Sequence, residues 1–498
     1  MKRTYLNIDP DTVVHPFLKR ICERDDFCEE MLYPMVDTYQ TLGVTDLVFN
    51  TFGQLSITES SVFTDSVSKY LQKEENGKSV NYEEIYKNEY IFYKHLKTDI
   101  YDVWFKRCYE IGLNPWMSIR MNDCHLPFDD TSEFRSDFYY KAREKGMILG
   151  DDYGYFKICY DYSFKEVRDI MLEYIREQIS RYDVFGLELD FMREPKCFKY
   201  LTDDMKKCTE LLNDFILNVR DILNEAESLH AHKIKLSVRV PRDIRQCNML
   251  GFDPETWDKN KVVDLIIPTP RFNSNDSLMP ISDWKKKILC AEVCAGIETL
   301  TSFKDYIPRV SSAEIISGLA ASFLAQGSDG IYLFNLFIDP DNIVEPEIHP
   351  YVRNVKAISA VASRNIYEHR LCFAVLNQED NYIPGIAEKT LPIILDNGKK
   401  TLSVCTGDIP ANKLIWLIIG FEKHSPNVYF NGIKIDNCKK VDLAYIPGIG
   451  IQPENYVDNE TICVRYNIPS NYLKRYSQEI TFECTCECKI NWIEIDSI

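Results

Sequence analysis

Strand-like and helix-like patterns alternate along the chain from about residue 40 to residue 365. Several segments carry apolar residues at a helical period, among them residues 164–182, 204–226 and 313–327. Eight short apolar or alternating runs predict β-strands over residues 45–50, 114–122, 155–160, 184–191, 233–240, 262–268, 287–296 and 329–335. Eight strands joined by crossover helices predict an α/β fold, a closed (β/α)8 TIM barrel, and a doubly wound open sheet is the alternative.

The pattern changes after about residue 366, where helical periodicity fades and short strands separated by turn signals follow. The pairs Asn397-Gly398 and Asn431-Gly432 are typical of hairpin turns. We therefore predict two domains, a barrel over residues 1–365 and an all-β, jelly-roll-like sandwich over residues 366–498. Two long polar segments, at about 54–85 and 126–154, are predicted to be insertions over the C-terminal face of the barrel, where loops build substrate sites.

One predicted strand, GLELDF (186–191), carries two acids on one face. Side chains alternate along a strand, so Glu188 and Asp190 share a face opposite the leucines. Asp190 lies nearest the C-terminal end of the strand, where the active sites of barrel enzymes are found. Glu188 lies one layer deeper and is expected to orient a neighbour such as Arg239 or Arg120. Glu298 is expected just past the seventh predicted strand. Acids after strands four and seven form the catalytic pair of many retaining barrel glycosidases.

Other polar residues are expected to surround this pair. Some share the inward parity of their strands, and others follow a strand end or lie in the loop after Asp190. The predicted substrate-binding residues are Arg120, Asn122, Asp123, His125, Arg193, Arg239 and Asn335. Two interior arginines favour an anionic sugar such as a uronate, because guanidinium pairs well with carboxylate. The alternative is that the acids and arginines only neutralise one another in an ion-pair network.

The charge and composition of the chain exclude several classes of partner. The formal net charge of −18 argues against nucleic acid and anionic membranes as partners. The N-terminus lacks the apolar core of a secretory signal, and no apolar run reaches the roughly 18 residues that a transmembrane helix needs. The 17 scattered cysteines without a C-x-x-C pair indicate a reducing cytoplasm. No phosphate-binding glycine motif occurs and no motif fixes metal-ligand spacing, so neither a cofactor nor a metal is predicted.

Residues 160–195 resemble the glycoside hydrolase-like barrel proteins described as family 10-like. The similarity lies in Asp161, Glu166-Val167-Arg168, Tyr182-Asp183-Val184, Gly186 and Asp190, and Phe185 stands where that family has an acid. The segments 120–123 and 330–335 also look like that group. The resemblance implies a carbohydrate-active barrel over about residues 40–365 with an accessory sandwich.

The same strand also looks like the signature of the family 18 chitinases. Glu188 and Asp190 match its second and third acids, but Met192 stands at the position of its catalytic glutamate. A methionine cannot donate a proton, so chitinase chemistry is not expected.

We therefore predict a glycoside hydrolase that cleaves an oligosaccharide or glycoconjugate with two carboxylates, Asp190 and Glu298. The sequence leaves open which of them is the acid and which the nucleophile. One alternative is a non-catalytic carbohydrate-binding barrel. Another is a metal-dependent hydrolase on the same barrel, with Asp123, His125, Asp190 and Glu298 as cation ligands.

Overall fold

A computed structural model of the protein describes residues 2–8, 15–22, 24–65, 90–130, 132, 134–200, 203–271, 274–303, 307–336, 338, 354–377, 389–441 and 460–498. Its N-terminal strands are β1 (Arg3–Ile8), β2 (Asp46–Phe52), β3 (Asn114–Arg120), β4 (Gly186–Asp190), β5 (Lys235–Pro241), β6 (Leu265–Thr269), β7 (Glu292–Glu298), the hairpin β8 (Leu300–Phe303) and β9 (Ile307–Val310), and β10 (Gly330–Phe334).

Eight of these strands close into a parallel barrel. The order of hydrogen-bonded neighbours is β1-β10-β7-β6-β5-β4-β3-β2, and β2 pairs back with β1. This confirms the (β/α)8 prediction and rules out the open doubly wound sheet. The α-helices around and beside the strands are His15–Cys22, Pro34–Thr41, Ile100–Glu110, Asp137–Glu144, Lys165–Arg181, Met205–His230, Ile244–Met249, Pro254–Lys259, Ile281–Lys287, Ala313–Ala325 and Asn354–Ala362.

Seven of the eight predicted strands overlap barrel strands, and the one over residues 155–160 is wrong. The chain there forms a 3-10 helix, Asp151–Phe156, in which Gly154 has φ 56° and ψ −118°. Residues with a side chain rarely adopt that backbone conformation, so the glycine permits the tight turn. The missing strand is β1, whose short N-terminal run was not recognised. The prediction thus contains one false strand and lacks one real strand, so the numbering of the later strands is unchanged. Asp190 and Glu298 end the fourth and seventh barrel strands.

Packed side chains fill the interior of the barrel. Trp116 lies across it, and a Cβ at Gly186 would stand 2.3 Å from the Trp116 ring. Glycine at this position therefore lets the large ring occupy the interior. The residues of this interior cluster are Tyr5, Val48, Trp116, Leu265, Ile267, Cys294, Tyr332 and Phe334. Leu187 and Leu189 belong instead to the large outer core, as the alternation of β4 predicts.

The C-terminal part is antiparallel, which confirms the all-β prediction. Its strands are β11 (Leu371–Ala374), β12 (Ile393–Leu395), β13 (Gly398–Cys405), β14 (Ile415–Lys423), β15 (Asn427–Phe430), β16 (Ile433–Ile435), β17 (Lys439–Val441), β18 (Ile462–Ile468), β19 (Ser477–Cys484) and β20 (Cys488–Ser497). One sheet has the order β11-β20-β14-β18-β17 with β12 also on β20, and the other has the order β13-β19-β15-β16. The jelly-roll topology and the boundary at residue 366 stay predictions.

The two predicted hairpin turns have different outcomes. Asn431 and Gly432 have φ values of 51° and 84° and join β15 to β16, which confirms that hairpin. Asn397 and Gly398 lie at the turn from β12 into β13, and these strands belong to different sheets, so the hairpin predicted there is wrong. A turn signal specifies the local reversal, whereas long-range pairing decides the sheet. In the first predicted insertion, residues 66–85 lie outside the described residues.

The barrel and the sheets contact each other closely at one helix. A Cβ at Gly318, in the helix Ala313–Ala325, would lie 2.0 Å from the carbonyl oxygen of Cys372 in β11. The glycine therefore allows the helix backbone to rest on the first strand of the C-terminal part.

None of the 17 cysteines forms a disulfide. Within the described ranges, no helix is both long and apolar enough to cross a membrane.

Candidate active site

Asp190 and Arg239 form a buried ion pair at the C-terminal ends of β4 and β5. They are partners in the parallel register, so their side chains meet on the interior. Nε and Nη2 of Arg239 donate to Oδ1 and Oδ2 of Asp190, both at 2.9 Å, and each side chain is 1% exposed. The backbone N–H groups of Met192 and Arg193 also donate to Oδ1, each at 2.9 Å. Four donors therefore satisfy this carboxylate and fix its orientation.

Glu188 lies one layer deeper in the barrel. Ser118 Oγ and Tyr332 OH donate to its Oε1 at 2.7 and 2.9 Å. Its Oε2 is buried and has no hydrogen-bond partner within the described part of the chain. Burial and the negative charge of Asp190 raise the pKa of Glu188, and Arg239 opposes that rise. The supporting role expected for Glu188 stays a prediction.

Glu298 is the last residue of β7 and is 2% exposed. Asn335 Nδ2 donates to its Oε1 and Oε2 at 3.1 and 3.3 Å, and the Thr299 N–H donates to Oε1 at 2.9 Å. Burial raises the pKa of Glu298 to about 7, although the Asn335 hydrogen bonds and Arg239 lower it. A carboxyl with this pKa exchanges a proton near neutral pH, as a general acid must.

Asn275 fixes the backbone around Glu298, and the sequence analysis missed it. Its Nδ2 donates to the carbonyl oxygens of Glu298 and Leu300 at 2.6 and 2.9 Å, and its Oδ1 accepts from the Glu298 N–H at 3.0 Å. Asn275 is 2% exposed. It belongs to a polar segment outside any strand or helix, so no periodic pattern could single it out.

Asp123 is the centre of a second charged group, just past β3. It accepts from Arg120 Nη1 at 3.0 Å and lies 2.5 Å from His125 Nδ1. Burial by itself would raise the pKa of Asp123, but His125, Arg120 and Arg193 together hold it well below its ordinary value.

His125 connects Asp123 to Arg193. The guanidinium of Arg193 can only donate, so His125 Nε2 accepts from Arg193 Nη2 across the 2.9 Å between them. Its Nδ1 then carries the proton and donates to Asp123. The His125 side chain is 34% exposed, whereas that of Arg193 is 8% exposed. His125 therefore marks the open side of the site.

The predicted site residues converge at the C-terminal end of the barrel. Arg193 links the two groups, because its backbone contacts Asp190 and its side chain contacts His125. Asn122 lies nearby, but its amide bonds to backbone: Nδ2 donates to the carbonyls of Tyr160 and Lys196, and Oδ1 accepts from the Tyr160 N–H. It thus joins two loops, and its role as a substrate ligand stays a prediction.

A second buried ion pair, Glu194 with Arg271, lies beyond β4 and was also missed. Arg271 Nη2 and Nε donate to Glu194 Oε2 at 2.8 and 3.1 Å. The guanidinium lies about 5 Å from the rings of Tyr155 and Phe156, at 5.1 and 5.0 Å from their centroids. The segment wrongly predicted as a strand therefore supplies aromatic rings to this region, and Tyr155 is 39% exposed.

Lys196 is the one cation of this region held only by rings among the described residues. Its Nζ lies 4.5 Å from the Phe156 centroid and 4.2 Å from that of Tyr200. Burial lowers the pKa of Lys196 to about 8. No carboxylate forms an ion pair with Lys196 in the described ranges, and the residue is 5% exposed.

The arrangement combines a protonatable carboxyl with an ion-paired carboxylate across the mouth of one barrel. Different surroundings give such acids different roles. The described residues contain no group of three or more histidines, cysteines or acids that could hold a metal ion. The metal-dependent alternative therefore has no ligand cluster there to support it.

The comparisons with known proteins show a likeness of fold alone. No family model and no curated protein match the sequence. Similar structures are the glycoside hydrolase domain of PgaB (BpsB) from Bordetella bronchiseptica (9% identity, TM-score 0.42, covering 73% of this chain and 99% of that chain) and the endo-beta-1,4-mannanase from Thermotoga petrophila (10%, 0.42, 99% and 97%). A third is alpha-L-fucosidase isoenzyme 2 from Paenibacillus thiaminolyticus (12%, 0.39, 73% and 49%). The family 10-like resemblance stays a prediction.

Proposed function

We propose that the protein is a glycoside hydrolase in which Glu298 and Asp190 act as the catalytic pair. The observation that carries the proposal is the contrast between the two acids. Glu298 has a pKa raised to about 7 by burial, whereas Asp190 is ion-paired with Arg239. Glycosidic cleavage needs one acid that is protonated and one that is charged at the same pH.

This contrast supports the following roles for the two acids, which the sequence left open. Glu298 donates its proton to the glycosidic oxygen, so the leaving sugar departs as an alcohol and Glu298 becomes a carboxylate. Asp190, charged, faces the positive charge that develops at the anomeric carbon. In a retaining route an Asp190 oxygen bonds to that carbon, and water later displaces it while giving a proton to Glu298. In an inverting route Asp190 instead takes the proton of the attacking water.

We further propose an anionic sugar, such as a uronate, as the substrate. Arg120 and Arg239 already face Asp123 and Asp190, so they contribute little net positive charge. Lys196 forms no ion pair with a carboxylate in the part of the chain described, and a sugar carboxylate would supply one. The aromatic rings of Phe156 and Tyr200 lie beside it, and the Tyr155 ring lies beside the neighbouring Arg271.

A screen of aryl glycosides, with and without a uronate carboxyl, tests the proposal. We expect hydrolysis of at least one uronide and its loss by a factor of at least a thousand in Glu298→Gln and Asp190→Asn. Glu494→Gln is the matched control, because Glu494 is a buried glutamate of the β-sheets and its pKa is also raised to about 7. Full activity in both site variants would refute the assignment.

The second candidate, a sugar-binding barrel without catalysis, has one observation in its favour. All four donors on Asp190 come from the protein, as in a purely structural ion pair. This candidate predicts that the wild-type protein binds a glycan and never cleaves it. Activity that survives a chelator would separate the proposed mechanism from a metal-dependent one.

A further inference from the structure

A cavity of 660 Å³ lies away from the candidate active site, between the barrel and the C-terminal sheets. Lys2 lines it immediately before β1, and so does the C-terminal half of the helix Ala313–Ala325. Barrel helices run antiparallel to their strands, so this is the end of the barrel opposite the catalytic loops. Its volume falls within the roughly 300–1,000 Å³ of small-molecule sites, which favour the junctions of domains.

One wall of the cavity is apolar. It is formed by residues of two barrel helices, among them Leu324, Ala325 and Val361. The rings of Tyr367 and Tyr476 also line the cavity. Tyr367 is fixed there, because its OH donates to the Thr406 carbonyl at 2.8 Å. Tyr476 is 58% exposed and leaves an apolar face open to solvent.

The polar groups of the cavity carry an excess of positive charge. Lys2 and Arg364 both line it, against the single acid Asp408. Neither cation forms an ion pair or a hydrogen bond with the described residues, although most of the other arginines there do. Lys2 and Arg364 are exposed, and exposed cations beside an apolar wall favour a ligand that brings an anion and an apolar body together.

We propose that this cavity binds a small amphipathic carboxylate, with its acid group at Lys2 and Arg364 and its apolar part against Leu324, Ala325 and the tyrosine rings. The site is separate from the candidate active site, and its occupancy does not depend on the proposed glycosidase activity. Two cations can hold a carboxylate, and each methylene buried beyond it strengthens binding by roughly fourfold.

Isothermal titration calorimetry of the full chain with octanoate, octanol and octyltrimethylammonium tests the site. We expect octanoate to bind with a stoichiometry of one, decanoate to bind about sixteenfold more tightly, and octanol and the ammonium compound to bind at least tenfold more weakly. The double variant Lys2→Met with Arg364→Met should weaken octanoate binding at least tenfold. Ala325→Phe, which fills the cavity from its wall, should abolish it.

A matched control is Lys206→Met with Lys207→Met, which removes the same charge from an exposed helix start. This control should bind octanoate as the wild type does. The proposal is overturned if octanoate does not bind, if octanol or the ammonium compound binds equally well, if Ala325→Phe binds unchanged, or if the control loses as much affinity as the cavity variant.

Discussion

Replacing Glu298 with glutamine should stabilise the fold at alkaline pH while it removes the proposed activity. The carboxyl has an ordinary pKa of 4.5 and a pKa of about 7 in the folded protein. The folded state therefore holds the proton more tightly than the unfolded state does. Stability is lost as the pH rises from about 4.5 to about 7, and the whole penalty is present above pH 7.

The size of the effect follows from the shift. A rise from 4.5 to about 7 corresponds to about 3 kcal/mol at full ionisation. Glutamine cannot ionise, so Glu298→Gln escapes this penalty. The new amide group faces the Asn335 amide on one side, and this poorer hydrogen bonding destabilises the variant by roughly 1 kcal/mol. We expect a net gain of about 2 kcal/mol at pH 8, which disappears at pH 5.

Urea unfolding of wild type and variant between pH 5 and pH 8 measures this difference. Glu494→Gln is the control, because Glu494 is fully buried and burial raises its pKa to about 7 as well. Both variants should gain stability with rising pH, and only Glu298→Gln should lose activity. A stability difference for Glu298→Gln that does not change with pH would refute the raised pKa, and with it the case for Glu298 as the acid.

Three further predictions concern the surroundings of the two acids. Asn335→Gly removes the donor to both oxygens of Glu298, and glycine suits the φ of 60° at that position. The pKa of Glu298 should therefore rise, and the alkaline limb of the pH–rate profile should move up by about one pH unit. An unchanged limb would contradict the role of the amide. Arg239→Met should lower the free energy of unfolding in urea by about 3–5 kcal/mol, because it leaves Asp190 buried without its cation. Adding Asp190→Asn should recover part of that loss, whereas strictly additive effects of the two substitutions would mean that the residues are not coupled. Lys196→Met should raise KM about tenfold for a uronide and leave a neutral glycoside unchanged, and equal effects on both substrates would argue against a carboxylate contact.

Local pattern determined much of this protein. The strict alternation of β4 placed Glu188 and Asp190 on the interior, because the side chains of a strand must take opposite faces. The repeated strand and helix signals predicted the closed barrel, since parallel strands need crossover helices. Glu298 was expected just past the seventh strand, and the structure makes it the last residue of that strand.

Tertiary structure alone decided which groups meet. The sequence could not show that Arg239 would pair with Asp190, or that Glu298 would be buried beside Asn335 with a raised pKa, because these partners lie dozens of positions away. Asn275 and Lys196 were missed for the same reason: each lies in a loop whose position is set by packing rather than by periodicity. Periodicity along the chain fixes the direction of a side chain, whereas its partners, its burial and therefore its pKa are fixed only when distant segments pack together.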